Sequence, residues 1–192
     1  MKKFLLISIA IIICVVAYGV KVVNQAVRLD ELVVANWAQV NNQFQRRFDL
    51  IPNIVETVKG YATHEEDTLT KVIEMRAAAS KMVVNVNDVA SMKKYMAAQN
   101  ELGGVLSRLM AVSEAYPDLK ANQNFLALQS ELEGTENRLA VARRDYIQSV
   151  KEYNIMLRVF PSSMIIRTFT DLEPKANFEA FPEAQTAPKV QF

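Results

Sequence analysis

VVNQAVRLDELVVANWAQVNNQFQRRFDLIPNIVETV, residues 22–58, carries the apolar rhythm from which the architecture follows. Val22, Ala26, Leu29, Val33, Trp37, Val40, Phe44, Phe48 and Ile51 recur at spacings of three and four, which places them on one face of a 3.6-residue helix. The seam predicts a long amphipathic helix that reaches Pro52. Proline has no N–H to donate, its ring crowds the preceding turn, and it biases Ile51 away from helical geometry, so a turn or kink is expected around residues 49–52. The three-four rhythm nevertheless passes through Pro52 into Val55 and Val58 without a phase break, which leaves a kinked continuous helix as the alternative.

Upstream of this seam lies FLLISIAIIICVVAYGV, residues 4–20, without a single charge. As a helix it spans about 25 Å, and roughly 30 Å if Val22 and Val23 join it while Lys21 snorkels outward, enough for a bilayer. Lys2 and Lys3 with the small residues around Ala17-Tyr18-Gly19 also fit a secretory signal. The length of the apolar run, and the resumption of helical periodicity directly at Val22, favour an uncleaved membrane anchor over residues 1–23. Lys2 and Lys3 precede the span and only Lys21 and Arg28 closely follow it, so the positive-inside rule expects a cytoplasmic N-terminus and the body on the far side of the membrane. Cys14 reads as a small apolar residue of the span.

Downstream, a second stripe runs through Val55, Val58, Ala62, Leu69, Val72, Ala79 and Met82. Asn85, Asn87 and Asp88 form a connection with a helix N-cap before a third stripe at Val89, Met92, Met96, Leu102, Leu106 and Leu109. Tyr116-Pro117-Asp118 breaks the chain. Phe125, Leu128, Leu132, Thr135, Leu139, Ala142, Tyr146, Val150, Tyr153 and Leu157 then repeat at coiled-coil-like spacing until Phe160-Pro161 stops the helix. The expected fold is therefore all-α: an N-terminal transmembrane helix, an antiparallel up-down four-helix bundle over residues 24–170, and an extended C-terminal tail over residues 171–192. Pro174, Pro182 and Pro188 punctuate that tail, and its isolated Phe178, Phe181 and Phe192 are the residues expected to dock it on the bundle or a neighbouring subunit if it is ordered.

Chemistry is sparse in this sequence. Twenty-two basic against 21 acidic residues give a net charge of +1, too little to concentrate nucleic acid, so no nucleic-acid partner is expected. One cysteine excludes an internal disulfide and any multi-cysteine metal centre. His64-Glu65 opens a zinc-protease pattern, but Thr68 stands where the second histidine is needed. A di-iron bundle needs a Glu-x-x-His on two helices, which one histidine cannot supply. Glu131, Glu133 and Glu136 read as a solvated face, and Gly103-Gly104, lacking a following Lys-Ser/Thr, as a site of close helix packing. No cofactor, metal or enzymatic activity is expected.

One dense segment remains, QFQRRFDLIPNIV at residues 43–55. Arg46, Arg47, Asp49, Pro52 and Asn53 would serve either as a helix junction or as a surface for a protein partner. In the first case the arginines cover the C-terminal dipole of one helix and Asp49 caps the next.

RRFDLIPNIVETVKGYATHE at residues 46–65, ENRLAVARRDYIQSVKEYN at residues 136–154, the Phe160-Pro161 pair and the terminal PKVQF at residues 188–192 resemble the LemA family of bacterial membrane-anchored helical proteins. The likeness covers nearly the whole chain in order. IIRTFT at residues 165–170 departs from it, since members often carry a small residue and a glycine before the aromatic. The resemblance implies a membrane helix followed by a four-helix domain, with no catalytic residues, in a family of envelope proteins of which one branch is associated with forming the magnetosome membrane. It makes a self-assembling, non-enzymatic scaffold of the bacterial cell envelope the leading expectation, with membrane lipid and further copies of the chain as partners. Apolar residues off the main seams, Val34, Ile73, Val83, Val84, Val105, Val112, Val141 and Ile147, point the same way. The alternative is an accessory or sensor subunit that binds a membrane protease or signalling protein through residues 46–53.

Overall fold

The computed structural model describes residues 2–178. It is all-α, with helices α1 (Lys2–Lys59), α2 (Glu66–Ser80), α3 (Val89–Val112), α4 (Pro117–Lys120), α5 (Gln123–Met156) and α6 (Ser162–Phe169), and a 3-10 turn at Ser113–Ala115. No strand occurs among the described residues.

The turn expected at residues 49–52 is absent, because α1 carries Pro52 in its interior. A proline there deprives the carbonyl of Phe48, four residues earlier, of its helical donor. Arg76 of α2 takes that place, donating from Nε to the Phe48 oxygen at 2.7 Å. With the orphaned acceptor satisfied, and Phe48, Ile51, Val55 and Val58 all buried on one seam, continuity is favoured over a break. The chain turns instead at residues 60–65, where the Val58 carbonyl accepts from the N–H groups of Tyr61 (3.0 Å) and Ala62 (2.8 Å). Val55 and Val58 therefore belong to α1, and the expected second segment shrinks to the fifteen residues of α2. His64 lies in this turn, exposed, and not on a helix.

Other boundaries follow the residues that signal them. Asp88 caps α3 by accepting from the Ala90 N–H at 2.8 Å. At the Tyr116-Pro117-Asp118 break, Pro117 opens the single turn of α4, and Asn122 then caps α5 by accepting from the Phe125 N–H at 3.0 Å. Helix α5 ends just before Phe160-Pro161, but α6 follows, eight residues whose length is too short to show a seam in sequence.

The chain groups into two compact units, one formed by the residues up to Gln43 with Arg138–Lys175, the other by Phe44–Asn137 with the chain from Ala176. In the first, Val22, Ala26, Val33 and Val40 of α1 are buried, as are Leu139, Tyr146, Val150 and Tyr153 of α5, and the rings of Trp37 and Tyr146 meet at 5.4 Å. The second buries Phe44, Ile51 and Ile54 of α1, Val72 of α2, Met92, Leu102 and Leu109 of α3, and Phe125 and Leu132 of α5. There Phe44 meets Tyr95 edge-on at 5.3 Å. Each of the Val, Leu, Ile, Phe and Met side chains among them contributes about 1.5–3 kcal/mol when taken fully out of water. Residues 4–18 and 20 are instead exposed all round, and burial begins at Val22. Helix α1 is thus long and apolar enough to cross a membrane.

Candidate functional site

Arg46 and Arg47 are adjacent in sequence and opposite in environment. Arg46 is half exposed and pairs with Glu131 of α5 at 3.1 Å. The Arg47 side chain is 3% exposed: Nη1 donates to Glu136 of α5 at 2.8 Å, and Nη2 donates to the Gln99 carbonyl of α3 at 3.3 Å and to Gln99 Oε1. Its guanidinium also sits 5.2 Å from the centre of the Phe44 ring. One buried cation thereby ties α1, α3 and α5 together through a planar fork that no lysine reproduces. Glu131, Glu133 and Glu136 are all exposed, as expected of a solvated face, and two of them also pair with these arginines; Glu133 accepts from Gln129 at 3.1 Å.

Asp49, Pro52 and Asn53 lie on the surface of an unbroken helix. Asp49 accepts from Gln45 one turn earlier at 2.8 Å and caps nothing. Pro52 and Asn53 are exposed, and the Asn53 carbonyl accepts from Thr57 Oγ1 at 2.7 Å. Arg46, Asp49 and Asn53, at i, i+3 and i+7, share one exposed face. Neither glycine of the Gly103-Gly104 pair is required by close packing: a methyl at Gly103 would approach Arg47 Nη1 no nearer than 4.0 Å, and Gly104 faces open space. Gln99 and Arg76 carry the polar contacts that sequence reasoning missed, and only their occurrence on helical faces otherwise made of apolar residues signals them.

The beginning of the tail is fastened by polar groups. Lys175 Nζ lies 2.8 Å from Asp30, with both side chains at most 20% exposed, and 5.6 Å from the Tyr153 ring centre. Asn154 exchanges two hydrogen bonds with the backbone of Lys175, at 2.9 and 3.0 Å, and the Tyr153 hydroxyl donates to the Glu173 carbonyl at 2.9 Å. In the other unit the Ala176 N–H donates to the Val86 carbonyl at 2.7 Å, and Ala176 is buried. Phe178 is half-buried, whereas Phe181 and Phe192 lie outside the described residues.

Burial, and then the neighbouring Asp30 carboxylate, push the Tyr153 phenol above its ordinary value near 10. A raised folded-state value means that this contribution to stability is complete below pH 10 and disappears as the pH rises further. Urea titrations at pH 9 and pH 11 should show the chain losing stability over that interval, and Tyr153→Phe should lose less. Lys175→Ala should cost about 2 kcal/mol at neutral pH by leaving Asp30 unpaired in a largely buried place. An unchanged urea midpoint would show that the Lys175–Asp30 pair adds no stability.

Among the described residues, no three His, Cys, Asp or Glu side chains converge. What the geometry defines is an all-α protein whose first helix begins with an exposed apolar run, with buried apolar seams in each unit and a buried arginine in the second. The chain belongs to the LemA family, whose model matches residues 36–192. Among curated relatives it is 24% identical to magnetosome protein MamQ 2 of Paramagnetospirillum magneticum, with 82% of this chain and 65% of that protein covered. It is also 24% identical to protein LemA of Metamycoplasma hominis (71% and 59% covered) and 22% identical to magnetosome protein MamQ of Magnetospirillum gryphiswaldense (72% and 58%). The chain spans less than two thirds of the length of each of these relatives.

Proposed function

We propose that this chain is a membrane-anchored, non-enzymatic, self-assembling scaffold of the bacterial cell envelope. In this reading residues 4–20 span the cytoplasmic membrane once, the N-terminus is cytoplasmic, and the helical body stands on the periplasmic or extracytoplasmic side. The observation that carries it is a stripe on α1, Leu6, Ile13, Val20, Val27 and Val34, spaced by seven residues and exposed at every position. Its first members suit lipid, but Val27 and Val34 lie beyond Lys21 and stand in water, where covering them by the same stripe of a second copy is favourable. Anchoring confines copies to two dimensions and raises their effective concentration, so a modest lateral contact suffices for assembly. The magnetosome proteins among its relatives support the reading by family analogy.

The exposed face of Arg46, Asp49 and Asn53 favours a second reading, an adaptor or sensor subunit of a membrane protease or signalling protein. Anchoring is tested by fractionation. The full chain should stay with membranes through carbonate washing, a chain beginning at residue 24 should be soluble, and alkaline phosphatase fused after Phe192 should be active. A full chain released by carbonate would contradict the anchor, and an inactive phosphatase with an active cytoplasmic reporter would reverse the orientation.

A further inference from the structure

Helix α6 and the turn before it display large apolar side chains to the outside: Val159 is 51% exposed, Phe160 76%, Met164 65% and Phe169 73%. So much exposed apolar surface within eleven residues marks a contact region. Between Tyr153 and Thr170 the chain carries Arg158 and Arg167 and no acidic residue. On a helix advancing about 100° per residue, Arg167 lies roughly opposite Ile165 and Phe169, with Met164 about 60° from the arginine, so Ile165 and Phe169 form the apolar side farthest from the cation. The apolar side faces a groove of about 510 Å³ whose far wall is α1, from Val15 through Val20 to Asn24. That stretch is the end of the uncharged run, where the span gives way to Lys21 and Asn24, and it includes Tyr18, an aromatic of the kind that sits at headgroup level.

We propose that α6 is an interfacial helix, lying at the boundary of hydrocarbon and water beside the span, with a phospholipid acyl chain in the groove between Ile165, Phe169 and α1. The proposal rests on the anchor reading given above. Its occupant follows from continuity: Val15, Val16 and Val20 are exposed parts of the span and wall the groove, so the lipid that solvates them also reaches Ile165 and Phe169. Phe169 and Phe160 then enter the acyl region while Arg158 and Arg167 remain among anionic headgroups, the arrangement of an amphipathic helix in the membrane plane.

The test uses the full chain with Cys14→Ala in liposomes of phosphatidylcholine and phosphatidylglycerol. A nitroxide is attached through Ile9→Cys, Arg167→Cys or Phe169→Cys, one at a time, and its collisions with oxygen and with a water-soluble nickel chelate are measured. Label 9 should be deep, label 169 shallow but within the acyl region, and label 167 in water, with an oxygen-to-nickel ratio several-fold larger at 169 than at 167. Equal nickel access at 167 and 169 with label 9 still deep would overturn the interfacial helix and leave the anchor standing. Nickel access at all three would overturn both. Shielding of label 169 from both reagents, with spin–spin broadening between copies, would place a second chain in the groove and overturn the lipid assignment.

Discussion

Arg47→Ala will lower the unfolding free energy by about 3 kcal/mol, whereas Asp49→Ala, two residues further along the same helix, will change it by less than about 0.5 kcal/mol. The difference comes from burial. Truncating Arg47 removes a guanidinium that is almost wholly enclosed and leaves the Gln99 carbonyl and side-chain oxygen without their cation. The Glu136 side chain is 46% exposed and can rehydrate, which keeps the cost at the lower end of the range for breaking a buried ion pair. Asp49 loses only an exposed bond to Gln45. Arg47→Lys should remain well below wild type, because a single ammonium cannot reach the Glu136 carboxylate and the Gln99 acceptors together. Urea unfolding of residues 24–178 followed by circular dichroism measures all three, and equal effects of the two alanine variants would refute the clamp.

Arg76 and Pro52 should be coupled. Arg76→Met keeps an apolar stem but removes the donor to the Phe48 carbonyl, at a cost of about 1–3 kcal/mol. Pro52→Ala returns the backbone N–H that this carbonyl lacks, and alone should be close to neutral, since the carbonyl is already satisfied and alanine restores some freedom to the unfolded chain. Placed together, the two changes should cost less than the sum of the singles by at least about 1 kcal/mol. Strict additivity in a double-mutant cycle would show that Arg76 does not stand in for the missing amide.

The same pair explains what could be read from sequence and what could not. The seams were legible because periodicity reports burial directly: the rhythm passes from Val22 to Val58 without a phase break, which kept one continuous helix open as the alternative to a turn, and Val22, Val33, Val40, Phe44, Ile51 and Val58 are all buried. Pro52 argued for a break on local grounds, and the residue that removes the penalty lies 24 positions later in another helix, where no local pattern reveals it. Arg47 poses the same difficulty. A charged residue at i+3 from a seam phenylalanine is ordinarily placed in water, and its burial depends on Gln99 and Glu136 from two other helices. Helix α6 escaped notice because its eight residues complete barely two turns. The strap of residues 173–176 works mainly through backbone groups, which composition does not encode.

If the chain self-assembles on a membrane, a native patch of bilayer holds several copies of it. Full-length chain should be extracted with its surrounding lipid into polymer nanodiscs and weighed particle by particle. The scaffold reading predicts several copies per disc, falling towards one when Val27→Glu and Val34→Glu charge the exposed stripe of α1. A single copy per disc at every expression level, or one copy with one different membrane protein, would contradict it and favour the adaptor.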